Sequence, residues 1–436
     1  MLDLRLMTTQ PPAEGGYDFL NDVPVDVCYV GERAAEELGT FARRRCGAVG
    51  LVISDANTRA AAGDAPLRAL RDAGKQLHEH QFGAEPLDAT QELADRVAVL
   101  GASADFYVAI GSGSLCDLAK SAGTAQGKPV LLYATAASMN GYTSGIVALK
   151  VRGLKRTLPC KPAEAVFADP AVVAAAPQRM TAAGVADFLS KCSSSADWLA
   201  GYELRGGFYT DRPRRIVGDI QNRIFAQADK VGQGDPEAAA LALEALLLSG
   251  FGMIVAGSSA PASGGEHLIS HYIDMKHALH GCGHDLHGTQ VGVATVYALG
   301  LWEKVLALDP ATIDARTLAA AHRSQEEIRD TIFADWGEAV GQEVWAQWCE
   351  KALSRDALEA EIRLIAQKLP ALREKLAQDL VPAAKVAACI EACGGPSTAA
   401  GLDAPLEEFE RGCRYSRYLR NRFTILDLAA ELGLAP

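Results

Sequence analysis

Apolar residues follow two rhythms along this chain, and the change comes near residue 170. In the first third, short apolar runs alternate with amphipathic stretches. Val25 to Val30, Val49 to Ser54, Phe106 to Ile110 and Pro129 to Tyr133 predict strands. Ala34 to Cys46, Ala65 to Ala73 and Leu115 to Ala122 carry their apolar positions at helical spacing. Such alternation is the signature of a parallel sheet covered by helices.

From about Asp169 the strand-like runs stop and helical periodicity continues almost to the end. Asp169-Pro170 and Pro177 punctuate the change. The expected organisation is an α/β dinucleotide-binding domain over residues 1–175 and an all-α domain over 176–436. A chain of 436 residues exceeds what one core usually supports, in keeping with two domains. Trp336, Trp345 and Trp348 sit in one helical stretch and are expected to fill a core. The most apolar segment, Ala238 to Ala256, is broken by Glu244, Ser249, Gly250 and Gly252. That composition fits a buried helix better than a membrane span of about 20 residues.

Composition narrows the function classes. With 49% hydrophobic and 22% charged residues, the chain is an ordinary globular one. A net charge of −12 argues against a nucleic-acid or anionic-membrane partner, both of which reward positive surfaces. Met1 to Asp26 lacks a basic segment followed by an apolar one, so no secretory leader is expected there. Ten cysteines without CxxC pairing suggest reduced thiols in the cytoplasm.

Three groups of residues carry candidate chemistry. Gly111-Ser112-Gly113-Ser114-Leu115-Cys116-Asp117 follows a predicted strand and opens a helix. Small residues there let backbone N–H groups approach a pyrophosphate at a helix N-terminus. The loop is neither GxGxxG nor a Walker loop, and a plain turn reads equally well. Asp55, at an earlier strand tip, could accept from an adenosine ribose or simply cap the next helix.

The second group is a histidine cluster. Six of nine histidines (His267, His271, His277, His280, His284 and His287) lie within 21 residues. Ser263-Gly264-Gly265-Glu266 has capping-box form and predicts a helix from about Gly264. His267 and His271 then share one face. His277, His280 and His284 fall near Gly281 and Gly283, in an expected loop. Spacing does not say which of them would meet a metal, and catalytic zinc sites use three protein ligands. Asp187, within Ala182 to Leu189, could complete such a site or could pair with Lys191 on a helix surface.

Several segments together resemble the superfamily of iron-containing alcohol dehydrogenases and dehydroquinate synthases, and within it the bacterial branch of the sn-glycerol-1-phosphate dehydrogenases. They are GSGSLCDLAK (111–120), ATAASMNGYTS (134–144), 184–191, PASGGEHLISHYIDM (261–275), LHGTQVGVAT (286–295) and RYLRNRFTILDLAAELGL (417–434). The resemblance implies a dehydroquinate synthase-like fold with a metal in the cleft between its two domains. It implies Asp187, His267 and His287 as ligands of one divalent ion (zinc, nickel or iron), with Asp187 thereby part of the catalytic centre. His271 becomes a catalytic residue on the substrate side. Gly111, Ser112, Gly113, Ser114, Leu115 and Asp117 would hold the pyrophosphate of NAD(P), and Asp55 its ribose. Thr135, Ser138 and Ser144 would line the nicotinamide end.

The activity so implied is hydride transfer interconverting dihydroxyacetone phosphate and sn-glycerol 1-phosphate, a step of phospholipid metabolism, in a homo-oligomer such as a dimer. One residue departs from the family's Ser-Met-Asp-Gly-Tyr pattern: Asn140 stands where the substrate-contacting Asp is usual. An amide keeps the shape but carries no charge and cannot act as a general base. A polyol, aldehyde or phosphonate-aldehyde substrate therefore stays open, as does a dehydroquinate synthase-like cyclase. Lys150, Arg152, Lys155 and Arg156 are candidates for a substrate phosphate, or a solvated basic loop.

Overall fold

The computed structural model describes residues 23–151, 154–377 and 380–434. The first 22 residues, where no leader was expected, and Arg152 lie outside the described residues. The chain gathers into two compact units. One holds residues through Phe188 with Asp211–Ser258 and Cys389–Gly395. The other holds Leu189–Thr210, Ser259–Ala388 and Pro396 onward.

The first unit runs β1 (Val27–Val30), α1 (Ala34–Arg45), β2 (Val49–Asp55), α2 (Ala56–Ala62), α3 (Ala65–Asp72), β3 (Gln76–Phe82) and α4 (Gln91–Leu100). It continues through β4 (Phe106–Gly111), α5 (Gly113–Gln126), β5 (Val130–Ala134), β6 (Ile146–Val151), β7 (Leu154–Pro159), β8 (Ala165–Ala168), α6 (Pro170–Ala174) and α7 (Gln178–Leu189). Six strands form one parallel sheet in the order β1-β8-β5-β4-β2-β3. In β4, Phe106, Val108 and Ile110 join a core with Leu38 and Phe41 of α1 and Leu67 and Leu70 of α3. Alternate residues Tyr107 and Ala109 are equally inaccessible on the opposite face. A strand buried on both faces must be apolar throughout, which is why this one was easy to read.

Two sheet strands differ from expectation. β3 reads Gln-Leu-His-Glu-His-Gln-Phe and lies at the sheet edge, so no apolar run marks it. β8 has four residues, too few for periodicity. The segment bearing Lys150, Lys155 and Arg156 is not a loop: it forms the antiparallel β6–β7 hairpin, with Lys150 opposite Lys155.

The chain then passes α8 (Lys191–Arg205), α9 (Arg212–Gly232) and α10 (Pro236–Ala256), of which α9 and α10 belong to the first unit. By length and hydropathy α10 could cross a membrane, but 83% of its apolar window is buried inside the protein. The second unit continues with α11 (Gly265–His280), α12 (His287–Ala307), α13 (Ala315–Ala321), α14 (Gln325–Cys349) and α15 (Arg355–Leu376). It closes with α16 (Ala383–Ala392), whose residues from Cys389 count with the first unit, and with α17 (Leu406–Tyr415) and α18 (Ile425–Glu431). No strand occurs among its described residues. Its main core joins α8, α11, α12, α15 and α18. Trp336 and Trp348 sit in a second cluster with Tyr272, and Trp345 packs against it, as their spacing suggested.

Candidate active site

Two sets of functional candidates are built very differently. The first lies at the carboxyl edge of the sheet. β3 and β4 flank β2 on opposite sides, so the chain reverses its direction of travel between β2 and β4. Open parallel sheets bind ligands outside the strand ends at such a point. Ile53 pairs with Ala109, which brings Asp55 and Gly111 to the ends of adjacent strands, and Gly111 in turn pairs with Ala134.

A Cβ on Gly111 would crowd Leu115, 2.4 Å from its Cδ1 and 3.1 Å from its Cβ, so this side chain packs closely over the glycine. Ser112 precedes α5 and its side chain makes no cap hydrogen bond, while Ser112, Gly113 and Ser114 are half-buried. Leu115 and Asp117 instead face inward. Asp117 Oδ2 accepts from Ala148 N at 3.1 Å, and burial pushes the Asp117 carboxyl up to about 6. Asp55 does cap α2: its Oδ1 accepts from Thr58 N at 2.7 Å, within a capping box.

The loop after β5 is pinned from beneath. Lys120 is fully buried and its Nζ donates to Gly141 O and Ile146 O, both at 2.7 Å. Tyr142 donates to Ala136 O at 2.6 Å, and Thr143 to Leu247 O at 2.7 Å. Thr135 and Ser144 are buried, and Ser138 is half-buried. Asn140 donates through Nδ2 to Ser249 Oγ at 3.4 Å. Gly184 of α7 lies so close below this loop that a Cβ would meet Ala137 O at 1.9 Å.

The second set is assembled from side chains along α11. The helix starts one residue past the expected position, and Ser263 is not its cap. Gly264 N donates to Glu266 Oε1 at 2.6 Å, and Gly265 N to Asp197 Oδ2 at 2.7 Å. A Cβ on Gly264 would come within 2.5 Å of Asp197 Oδ2, so glycine at this position lets the carboxylate approach. At the other end, α11 continues through His277 and His280 before Gly281 closes it at φ 69°. Those two histidines are helical rather than in a loop. His277 stacks on His284 at 3.7 Å between ring centroids.

His267, His271 and His287 converge. Their ring centroids lie 6.1 Å apart for His267 and His271, 5.3 Å for His267 and His287, and 5.6 Å for His271 and His287. His267 Nδ1 is 2.9 Å from Glu266 Oε1; His287 Nδ1 is 3.0 Å from Ser270 Oγ and 3.7 Å from Asp274 Oδ2. Gln290 Nε2 donates to both Ser270 Oγ and Asp274 Oδ1 at 3.0 Å. With each Nδ1 committed in this way, Nε2 is the ring nitrogen that carries a ligand lone pair. Asp187 is 2% exposed, near the end of α7. Ligand atoms of Asp187, His267 and His287 all lie within 4.8 Å of one another.

Burial alone would raise the Glu266 carboxyl, but its bonds to His267 and to Gly264 N bring it below the usual range. Asp197 goes the other way, held far above that range by burial and by the Glu266 charge. Sequence reasoning missed Glu266, Ser270, Asp274 and Gln290. The signal was present, since Glu266, Ser270 and Asp274 form an i, i+4, i+8 stripe beside His267 and His271.

Comparisons with known proteins agree with this architecture. Residues 29–177 match the family model described as iron-containing alcohol dehydrogenase. A protein of Bacillus velezensis named glycerol-1-phosphate dehydrogenase [NAD(P)+] is 33% identical over 299 residues, 66% of this chain and 76% of its own. Its namesake in Bacillus subtilis is 31% identical over 333 residues, 73% and 82% of the two chains. Among solved structures, an alcohol dehydrogenase from Oenococcus oeni superposes with a TM-score of 0.59 at 16% identity, over 94% of this chain and 98% of its own. Glycerol dehydrogenase from Schizosaccharomyces pombe gives 0.56 at 17%, over 80% and 91%. At those identities the likeness establishes the fold.

Proposed function

Since the chain belongs to the glycerol-1-phosphate dehydrogenase family of the iron-containing alcohol dehydrogenases, we propose that it reduces dihydroxyacetone phosphate to sn-glycerol 1-phosphate with NAD(P)H, using a divalent metal held by Asp187, His267 and His287. The observation that carries this reading is the donor set: two imidazoles and a carboxylate with ligand atoms within 4.8 Å of one another. The residues fit a zinc, nickel or iron ion, because each histidine has its Nδ1 engaged by an oxygen that fixes the ring. Such an ion, when bound, supplies a Lewis acid for a carbonyl oxygen.

The chain's own residues do the rest. Glu266 holds His267 and Ser270 holds His287, so neither ring must reorganise on binding. His271 stacks on His287 with 13° between ring planes, and its ring nitrogen passes a proton from solvent to the oxygen of the alcohol being formed, which hydride addition to the carbonyl carbon leaves one proton short. Backbone N–H groups of Gly111 to Ser114, at the start of α5, receive the pyrophosphate. Asp55 keeps Oδ2 for the ribose while Oδ1 caps α2. Thr135, Ser138 and Ser144 belong to the loop that shapes the nicotinamide end. The enzyme works as a cytoplasmic homo-oligomer.

A second reading rests on Asn140, whose amide bonds Ser249 where the family has a carboxylate. In that reading the substrate is an unphosphorylated polyol or a phosphonate aldehyde. Elemental analysis together with NADH oxidation on a panel of ketoses and aldehydes separates the two. Dihydroxyacetone phosphate is expected to be turned over fastest, by protein carrying about one equivalent of metal. His267→Ala is expected to lose both metal and turnover; a metal-free, fully active variant overturns the assignment.

A further inference from the structure

Asp197, 1% exposed on α8, is not among the oxygens that hold His267 and His287, yet three elements of the second unit meet on its carboxylate. Oδ2 accepts from Gly265 N at 2.7 Å. Oδ1 accepts from Trp302 Nε1 at 3.0 Å and from Ile425 N at 3.1 Å. Gly265 opens α11, Trp302 lies on α12, and Ile425 opens α18.

The bond to Gly265 takes the place of an ordinary cap. The first N–H groups of a helix have no partner within it, and a side chain just before the helix usually supplies one. Before α11 stands Gly264, which has no side chain to offer. Glu266 Oε1 therefore takes Gly264 N from inside the helix, and Asp197 takes Gly265 N from α8. One turn earlier on α8, Ser194 Oγ donates to Pro261 O at 2.9 Å, so residues 261–265 are fastened to α8 at both ends. The approach is close: a Cβ on Gly264 would stand 3.0 Å from Ser194 Cα. Arg422, three residues before Ile425, bonds Ser263 O and, at 3.1 Å, Ser259 Oγ. The carboxyl-terminal segment thus grips the same stretch.

His267 is the third residue of α11, and Glu266, which holds its ring, is the second. Fraying of this first turn would displace both together. His287 is the first residue of α12, the helix that Trp302 ties to the other oxygen of Asp197.

On the reading that His267 and His287 hold a metal, we propose that Asp197 is a positioning residue of that site: by capping α11 and gripping α12 with one carboxylate, it fixes where the two histidines stand relative to each other. It acts through the two helices rather than through a bond to the ion.

The test is the zinc affinity of the metal-free full chain, measured in competition with a chromogenic chelator. Asparagine keeps the size of Asp197 but has one acceptor oxygen where the carboxylate uses two, so one set of donors must face an amide –NH2. Asp197→Asn is expected to bind zinc about tenfold more weakly than the parent. Trp302→Phe, which removes only one of the three donors, should lose affinity severalfold. Its matched control is Trp348→Phe in the same unit. Trp348 is 3% exposed and its Nε1 donates to Gln325 Oε1 at 2.7 Å, remote from the start of α11. This variant should lose thermal stability as Trp302→Phe does and keep the parent's zinc affinity. Hydrogen exchange at Gly265 in the metal-free protein should quicken in Asp197→Asn and not in Trp348→Phe. Parent affinity in Asp197→Asn, or equal losses in the two tryptophan variants, overturns the positioning role while leaving the metal site intact. A parent that takes up no zinc overturns the metal site itself, and this role with it. If Asp197→Asn does not fold, the two tryptophan variants decide the matter between them.

Discussion

The carboxyl edge of the sheet and the polar stripe of α11 present opposite kinds of group. At the sheet edge the groups offered are backbone N–H donors of Gly111 to Ser114, and the buried side chains nearby, Lys120 and Asp117, serve to hold loops. On α11 and α12 the groups offered are side chains, each held by another side chain: His267 by Glu266, His287 by Ser270, and Ser270 by Gln290. A backbone site tolerates side-chain replacement as long as the strand and helix stay in place. A site made of interlocked side chains loses its geometry one partner at a time.

Asp117 gives the largest expected effect and the sharpest test of the sheet-edge half. Its folded carboxyl keeps a proton up to about pH 6, against 3.8 for the ordinary group. Between those values folding takes up a proton, so this contribution to stability is full below 3.8 and is lost as pH rises through 6. Its ceiling is about 3 kcal/mol. Asp117→Asn should remove that part of the pH dependence, read as the difference between parent and variant in denaturation free energy at pH 4 and pH 7. Equal slopes in the two proteins would mean that Asp117 is no buried acid.

On α11, Glu266→Gln keeps size and most of the hydrogen bonding but removes the charge behind His267. Metal affinity should fall roughly 10- to 100-fold, as happens when outer-shell partners of ligand histidines are altered. Competition with a chromogenic chelator measures it. An unchanged affinity would break the contrast drawn above, because the imidazole would then need no holder.

Asp55→Ser gives the smallest effect. Serine still caps α2, so stability should hardly change, while the repulsion against a ribose 2′-phosphate disappears. The NADPH-to-NADH ratio of kcat/KM is expected to rise by about tenfold. A preference that does not move would remove Asp55 from the cofactor site.

What could be read from the sequence followed the same divide. Phe106 to Ile110 announced itself because a strand covered on both faces admits only apolar residues, and α1 and α5 showed helical spacing. β3 was invisible because an edge strand with polar faces carries no apolar run, and the β6–β7 hairpin was masked by its lysines and arginine. On α11 the Ser-x-x-Glu pattern gave the helix start but the wrong partner for its N–H groups. Asp197, the carboxylate that takes Gly265 N, lies 68 residues away in sequence, and no local rule could find it. Which histidines converge was likewise beyond spacing, since His287 comes from a separate helix. It was the resemblance that singled out Asp187, His267 and His287.

β3 carries one further consequence. A parallel sheet that ended in a greasy outermost strand would offer its unpaired amides to any molecule alongside. Here that rail is made of glutamine, histidine and glutamate, residues that hold water and resist stacking onto another chain. This side of the sheet is therefore poorly suited to growing onto a second copy, and replacing Glu79 and His80 with valine is expected to invite fibrous precipitation.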